Sequence, residues 1–233
     1  EREPGTSPRF ADLRAAAEAL RQAISSLDGL FVKFKRKNPS TQSFGYAGTT
    51  AATALLSPDG RHAVLCNLGD SRAALAGGWE VAEHRGAPPE LAAGVIVTHP
   101  HSPGDPVETA RIEREGGFVE LGARGHRVNG VLAVSRAIGY AAVPEFAAVS
   151  ADADYVIAER RNTAQPAVVA LATDGVFEGG NEPASVFQRL AMSEDEESLG
   201  KRLQAELDRA GGGTAEENVD NASLLACLMP AAS

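Results

Sequence analysis

Two aspartates in this chain stand where a carboxylate could hold a metal ion. The apolar run Ala167–Ala172 leads into Thr173-Asp174-Gly175, and Asn218-Val219-Asp220-Asn221 leads into a second apolar run, 222–228. Short apolar runs bounded by Gly, Asp and Asn read as buried strands. Asp174 follows the first strand and Asp220 precedes the second. If the two strands run antiparallel, both carboxylates fall at the same sheet edge. Adjacent carboxylates repel unless a cation lies between them. Hard divalent ions such as Mg2+ and Mn2+ favour such oxygen ligands. The pair could therefore form at least half of a metal site for hydrolytic chemistry. Asp-Gly is also a common turn pair, so either aspartate alone fits a plain loop.

The elements that must position them are legible in outline. Leu13, Ala17, Leu20, Ile24, Leu27 and Phe31 recur at helical spacing and predict a helix over 9–36 with one apolar stripe. A β-meander follows, with strands at 49–56, 62–68, 72–76 and 79–83, and turns at 57–60, Gly69-Asp70 and Gly77-Gly78. Residues 84–94 carry Gly86, Pro88, Pro89 and Gly94 and read as an inserted loop. Pro106–Glu115 predicts a short helix capped by Asp105. Strands are expected at 118–121 and 131–134, and helices at 181–190 and 193–210. Strand runs with segregated helices predict an α+β fold with layered antiparallel sheets.

Composition narrows the function. The chain has 233 residues, 43% hydrophobic and 23% charged, with a net charge of −9. That size fits one domain, and the acidic balance argues against a nucleic-acid partner. No apolar run approaches the roughly 20 residues of a membrane helix, and no signal peptide is visible, so an intracellular monomer without a membrane partner is expected. The basic cluster Lys33–Lys37 reads as a helix end, with a phosphopeptide or membrane contact as the alternative. Cys66 and Cys227 read as reduced core residues. His99 and His101 read as loop histidines.

Taken in order, the segments resemble the metal-dependent protein phosphatase 2C family. The resemblance rests on Gly48-Thr-Thr-Ala51, Asn67-Leu-Gly-Asp-Ser-Arg-Ala73, Glu108-x-x-Arg111-Ile112 with Gly116-Gly117, Arg127-Val-Asn-Gly130, Leu132-Ala-Val-Ser-Arg-Ala-Ile-Gly139, Thr173-Asp174-Gly175 and Asp220-Asn221. It implies two antiparallel β-sheets packed as a sandwich flanked by helices. It also implies hydrolysis of phosphoserine and phosphothreonine in phosphoprotein substrates, with two or more Mg2+ or Mn2+ ions at one sandwich edge. Asp174 and Asp220 would be metal ligands, and the nucleophile would be a water held by the metals. Gly175, Asn221, Asp70 and Arg136 would support the site. Asp70 is expected to fix its turn and pair with Arg72, and Arg136 and Asn129 to join networks in the site wall.

The chain departs from the family pattern twice. Its Asp-Gly-His-Gly-Gly motif, with a metal-bridging Asp, does not occur here. The chain also does not start with Met, so a single 2C-like domain, 1–233, without its opening strands is expected. Tyr140 stands where the family carries an accessory metal-ligand Asp, which would imply an intact metal core with slowed turnover. The alternative function is a catalytically dead pseudophosphatase that serves as a binding or regulatory module.

Overall fold

Apolar residues alternate to both sides of the central strands, and that pattern dictates the layers. In the computed structural model, β2 (His62–Leu68) turns Ala63 and Leu65 one way and Val64, Cys66 and Leu68 the other; all five are buried. β9 (Asp154–Arg160) divides in the same way, with Val156 and Ala158 opposed to Tyr155 and Ile157. A strand covered on both faces reads as a continuous apolar run, because neither side meets water. The structure describes residues 10–38, 47–123, 125–140, 143–210, 222–229 and 231, with only the backbone described at 178–180.

Two antiparallel sheets stack on the shared inner face. The first has the order β1 (Ala51–Leu56), β2, β9 and β4 (Trp79–Arg85). The second has the order β11 (Leu224–Met229), β10 (Ala167–Ala172), β3 (Arg72–Ala76), β6 (Val95–Val97) and β5 (Glu90–Ala92). Ala63, Leu65, Ala73, Leu75, Trp79, Val156 and Val169 pack between them. Helix α1 (Phe10–Lys37) covers the first sheet through Leu13, Ala17 and Ile24. Helices α3 (Pro183–Ala191) and α4 (Glu196–Ala210) cover the second through Val186, Phe187, Leu190 and Leu199. The α+β sandwich expected from the sequence is the architecture observed.

A smaller lobe joins one end. Helix α2 (Pro106–Arg114) begins at Asp105, whose Oδ1 accepts from Val107 N and Glu108 N at 2.8 and 3.3 Å. The hairpin β7 (Val119–Gly122) and β8 (Gly125–Val128) lies beside it.

Several sequence expectations need correction. The segment 84–94 is not a plain loop: β4 runs to Arg85, and β5 forms at Glu90–Ala92 against β6. Residues 131–134 form a turn with a single bridge, Val128 to Leu132, rather than a strand. Leu27 leaves the helix stripe and is 54% exposed, because Asp28 takes the inward position and its Oδ1 accepts from Gly139 N at 2.7 Å. Lys35 points inward too, donating to Ala47 O and Gly139 O at 2.7 and 2.8 Å, so the basic cluster is not wholly a solvated face. Cys66 is buried as expected, with its thiol pushed up to about 12 by burial, whereas Cys227 is exposed.

The lobe is tied to the sandwich by buried charge. Arg136 Nη2 donates to Glu108 Oε1 at 2.6 Å, and its Nη1 donates to Asp154 Oδ1 at 3.1 Å. Glu108 also accepts from Arg111 Nη2 at 3.0 Å. Burial pushes the Glu108 carboxyl up, but bonds from Arg136 and Arg111 outweigh it and hold the carboxyl down to about 2. Its contribution to stability is therefore complete above the ordinary glutamate value of 4.5 and is lost as pH falls from there towards about 2. Glu108→Gln should lower unfolding free energy at pH 7 by about 3 kcal/mol, because two buried guanidinium groups lose their partner. Its denaturant midpoint should also fall less steeply than the wild-type midpoint across that acid window. A midpoint and acid slope unchanged from wild type would show that the cluster does not anchor the lobe.

Candidate metal-binding edge

The site grows from the register of β10. Ala172 pairs with Arg72 of β3 on one side and with Leu224 of β11 on the other, both antiparallel. Counting two residues past Ala172 reaches Asp174, and two before Arg72 reaches Asp70. Both aspartates thus leave the second sheet at the same end, and they line one concavity of about 350 Å3 with Pro100, Phe177 and Pro183. Thr173 N donates to Ser223 O at 3.0 Å, and Ser223 N donates to Thr173 Oγ1 at 2.8 Å. These bonds carry the β10–β11 pairing up to the edge itself.

Asp174 is half-buried and opens the 3-10 segment Asp174–Gly180; Gly175 behind it is buried. Asp70 is half-buried in the turn between β2 and β3. That turn needs Gly69, whose φ is +93° and whose added Cβ would stand 2.2 Å from Thr50 Cγ2. Asp220 and Asn221 lie outside the described residues. The strand they lead into begins beside the residues that lead to Asp174. As donors, Asp70 and Asp174 are hard oxygen ligands of the kind Mg2+ and Mn2+ take. Among the described residues no group of three or more His, Cys, Asp or Glu side chains is arranged to hold an ion.

Arg72 lines the same concavity, and its Nη1 donates to Glu90 Oε1 and Thr98 O, both at 2.8 Å. The inserted segment read as a loop supplies that glutamate. Arg136 is a network residue, as expected, but it is engaged by Glu108 and Asp154 and is not in the concavity lining. Asn129 adopts φ +51° and bonds Phe118 N and Glu145 O; it lines a separate pocket beside the lobe.

The burial of three polar residues near this edge escaped the sequence reading. His101 is the loop histidine expected, but it is only 2% exposed, and it bonds Gly69 through both its backbone N–H and its ring. Asp154 accepts from Arg136 and from Ala87 N. Burial pushes its carboxyl up, yet His101, Arg136 and Ala87 N together hold it below the ordinary aspartate value. Glu108 is the third. A Pro-flanked histidine and acidic residues at element starts resemble solvated groups in sequence. Only the charge match between Glu108 and the downstream arginines was available as a signal.

A family model described as Protein phosphatase 2C matches residues 6–186. The chain belongs to the protein phosphatase 2C family. It is 34% identical over 206 residues to "Probable protein phosphatase 2C 69" of Arabidopsis thaliana, covering 88% of this chain and 50% of that protein. The chain thus spans about half the length of that relative. Its fold is similar to the serine-threonine phosphatase 2C of Toxoplasma gondii, with a TM-score of 0.66 and 19% identity over 95% of this chain and 71% of that one. It is also similar to a sex determining protein of C. elegans, with a TM-score of 0.68 and 23% identity over 99% of this chain and 49% of that one. Among the described residues no helix is long and apolar enough to cross a membrane.

Tyr140, where the resemblance led to the expectation of an accessory aspartate, is a packing residue here. Its ring meets Phe146 edge-on at 5.8 Å and lies 5.9 Å from Lys35 Nζ. A Cβ on Gly48 would come 2.3 Å from it. Tyr140→Asp should therefore lower unfolding free energy by about 2 kcal/mol through lost ring contacts. A variant as stable as wild type, measured by denaturant melts, would show that the ring contributes no packing.

Proposed function

We propose that this chain belongs to a protein serine/threonine phosphatase that depends on Mg2+ or Mn2+, with Asp174 and Asp220 as metal ligands. The observation that carries this reading is the register of β10, which brings Asp70 and Asp174 to one open sheet end in a chain of the 2C family. Bound divalent ions would supply an activated water and offset charge on the phosphoryl oxygens. The chain's own residues supply rigidity and charge. β3 and β10 hold the aspartates on a sheet packed on both faces. Phosphoproteins are the proposed substrate class, and the protein acts as a monomer.

We also propose that the chain forms one 2C domain that further strands complete. Within the described residues, β1 and β11 are the outer strands on the same side of the sandwich, and Leu225 on β11 is exposed. An uncovered strand edge beside a bare leucine is a place for strand addition. Tyr140 in place of an accessory ligand supports a second reading, in which the protein binds phosphoproteins without turnover.

The test is phosphopeptide hydrolysis by the complete natural polypeptide, with and without millimolar Mn2+. Activity should require the ion, vanish with EDTA, and fall by at least about 100-fold in Asp174→Ala. Activity that survives chelation contradicts the proposal. A folded protein with no activity in either metal favours the binding module.

A further inference from the structure

The Gly69–Asp70 turn is held from behind by His101 and Asn67. His101 donates its backbone N–H to Gly69 O at 2.9 Å, and its ring Nδ1 accepts from Gly69 N at 3.0 Å. Both hydrogen-bonding groups of Gly69 therefore end on one residue. Asn67 Nδ2 adds a second bond to Gly69 O at 3.1 Å. The turn is left-handed at Gly69, and a Cβ there would collide with Thr50, so only glycine fits the position. Pro100, next to His101 in sequence, lines the same concavity as Asp70 and Asp174.

The ring's other nitrogen faces inward. A ring nitrogen that accepts a backbone N–H holds no proton, so the proton of the neutral imidazole sits on Nε2. Nε2 stands 3.1 Å from Asp154 Oδ2, off the N–H axis, so this contact is more electrostatic than a well-formed hydrogen bond. Asp154 is itself immobilised by Arg136 Nη1 and Ala87 N. Arg136 continues to Glu108 on α2. Arg111, also on α2, donates to Ser135 O and Ala148 O, both at 2.8 Å.

We propose that His101 is a positioning residue for the Asp70–Asp174 edge, holding the Gly69–Asp70 turn through Nδ1 and tying it through Nε2 to the buried Asp154–Arg136–Glu108 cluster. This role rests on the hydrolytic reading of that edge. It makes the carboxylate geometry depend on the same cluster that anchors α2. The lobe and the candidate metal edge thereby share one connection of four side chains, His101, Asp154, Arg136 and Glu108.

Two substitutions separate the contacts. His101→Asn puts an amide oxygen near the place of Nδ1, keeping the acceptor for Gly69 N. His101→Gln puts its amide near the place of Nε2, keeping the Asp154 contact and losing the acceptor. In the complete polypeptide, hydrogen exchange at the Gly69 amide should quicken about tenfold or more in His101→Gln and stay within about threefold of wild type in His101→Asn. Calorimetric Mn2+ affinity should follow the same order, weakening about tenfold in the Gln variant, and kcat should fall there with KM little changed. Equal behaviour of the two variants, or the reverse order, overturns the proposal. Nitrogen NMR of wild-type His101 tests it even if a variant does not fold: an unprotonated Nδ1 is expected, and a protonated Nδ1 overturns it. If the wild-type protein neither binds Mn2+ nor hydrolyses phosphopeptide, the hydrolase reading fails separately. The exchange order and the ring tautomer then still decide what His101 holds.

Discussion

One pairing register fixes where the chemistry can sit. β10 lies between β3 and β11, and Ala172 faces Arg72 on one side and Leu224 on the other. Because side chains alternate with a period of two, a slip of one residue would turn Val168, Ala170 and Ala172 away from the α3–α4 layer. Those residues pack against Val186, Phe187 and Leu190, while Ala167 and Val169 pack between the two sheets, so the slip would exchange two differently fitted faces. The fit of side chains on both faces therefore sets the register. The register in turn sets the juxtaposition of Asp70 and Asp174, and a catalytic-type edge follows from core packing far from any ion.

The second constraint is electrostatic. Arg136, Arg111, Glu108, Asp154 and His101 form a connected buried group where the lobe meets the sandwich. Ionised groups out of water are costly unless each finds a partner. Here every charge has at least one opposite neighbour within 3.1 Å. Such a group adds little net stability over a well-packed apolar core, but it permits few alternative arrangements. That selectivity suits a junction that must hold α2, the β2–β3 turn and the start of β9 in one relation.

The sequence made the skeleton legible and left the connections obscure. β10, the β2–β3 turn, α1 and the Asp105 cap could be read because each has a local signature: an apolar run, a Gly-Asp pair, a 3.6-residue stripe, an Asp-Pro start. β9 went unread, since Asp154-Tyr-Val-Ile-Ala-Glu-Arg160 is short and bounded by charges that look solvated. Asp154 is partnered by His101 and Arg136, both distant in the chain. β5 was hidden by the flanking Pro89 and Gly94, whose turn chemistry masked a three-residue strand. Of the candidate site, Asp174 was found from its place after a strand. Arg72 also meets Glu90, a contact no local pattern announces. His101 lies in a loop as read, but its burial was not legible, because tertiary packing alone decides it.

The central claim is that Asp174 belongs to a divalent metal centre completed by Asp220 at the end of β10. Anomalous scattering from a Mn2+-containing crystal of the complete polypeptide tests it most directly. The account predicts a manganese peak in coordination contact with carboxylate oxygens of Asp174 and Asp220, lost when Asp174 is replaced by Ala. Manganese bound only elsewhere, or a peak that persists in the Asp174→Ala protein with unchanged occupancy, would contradict it.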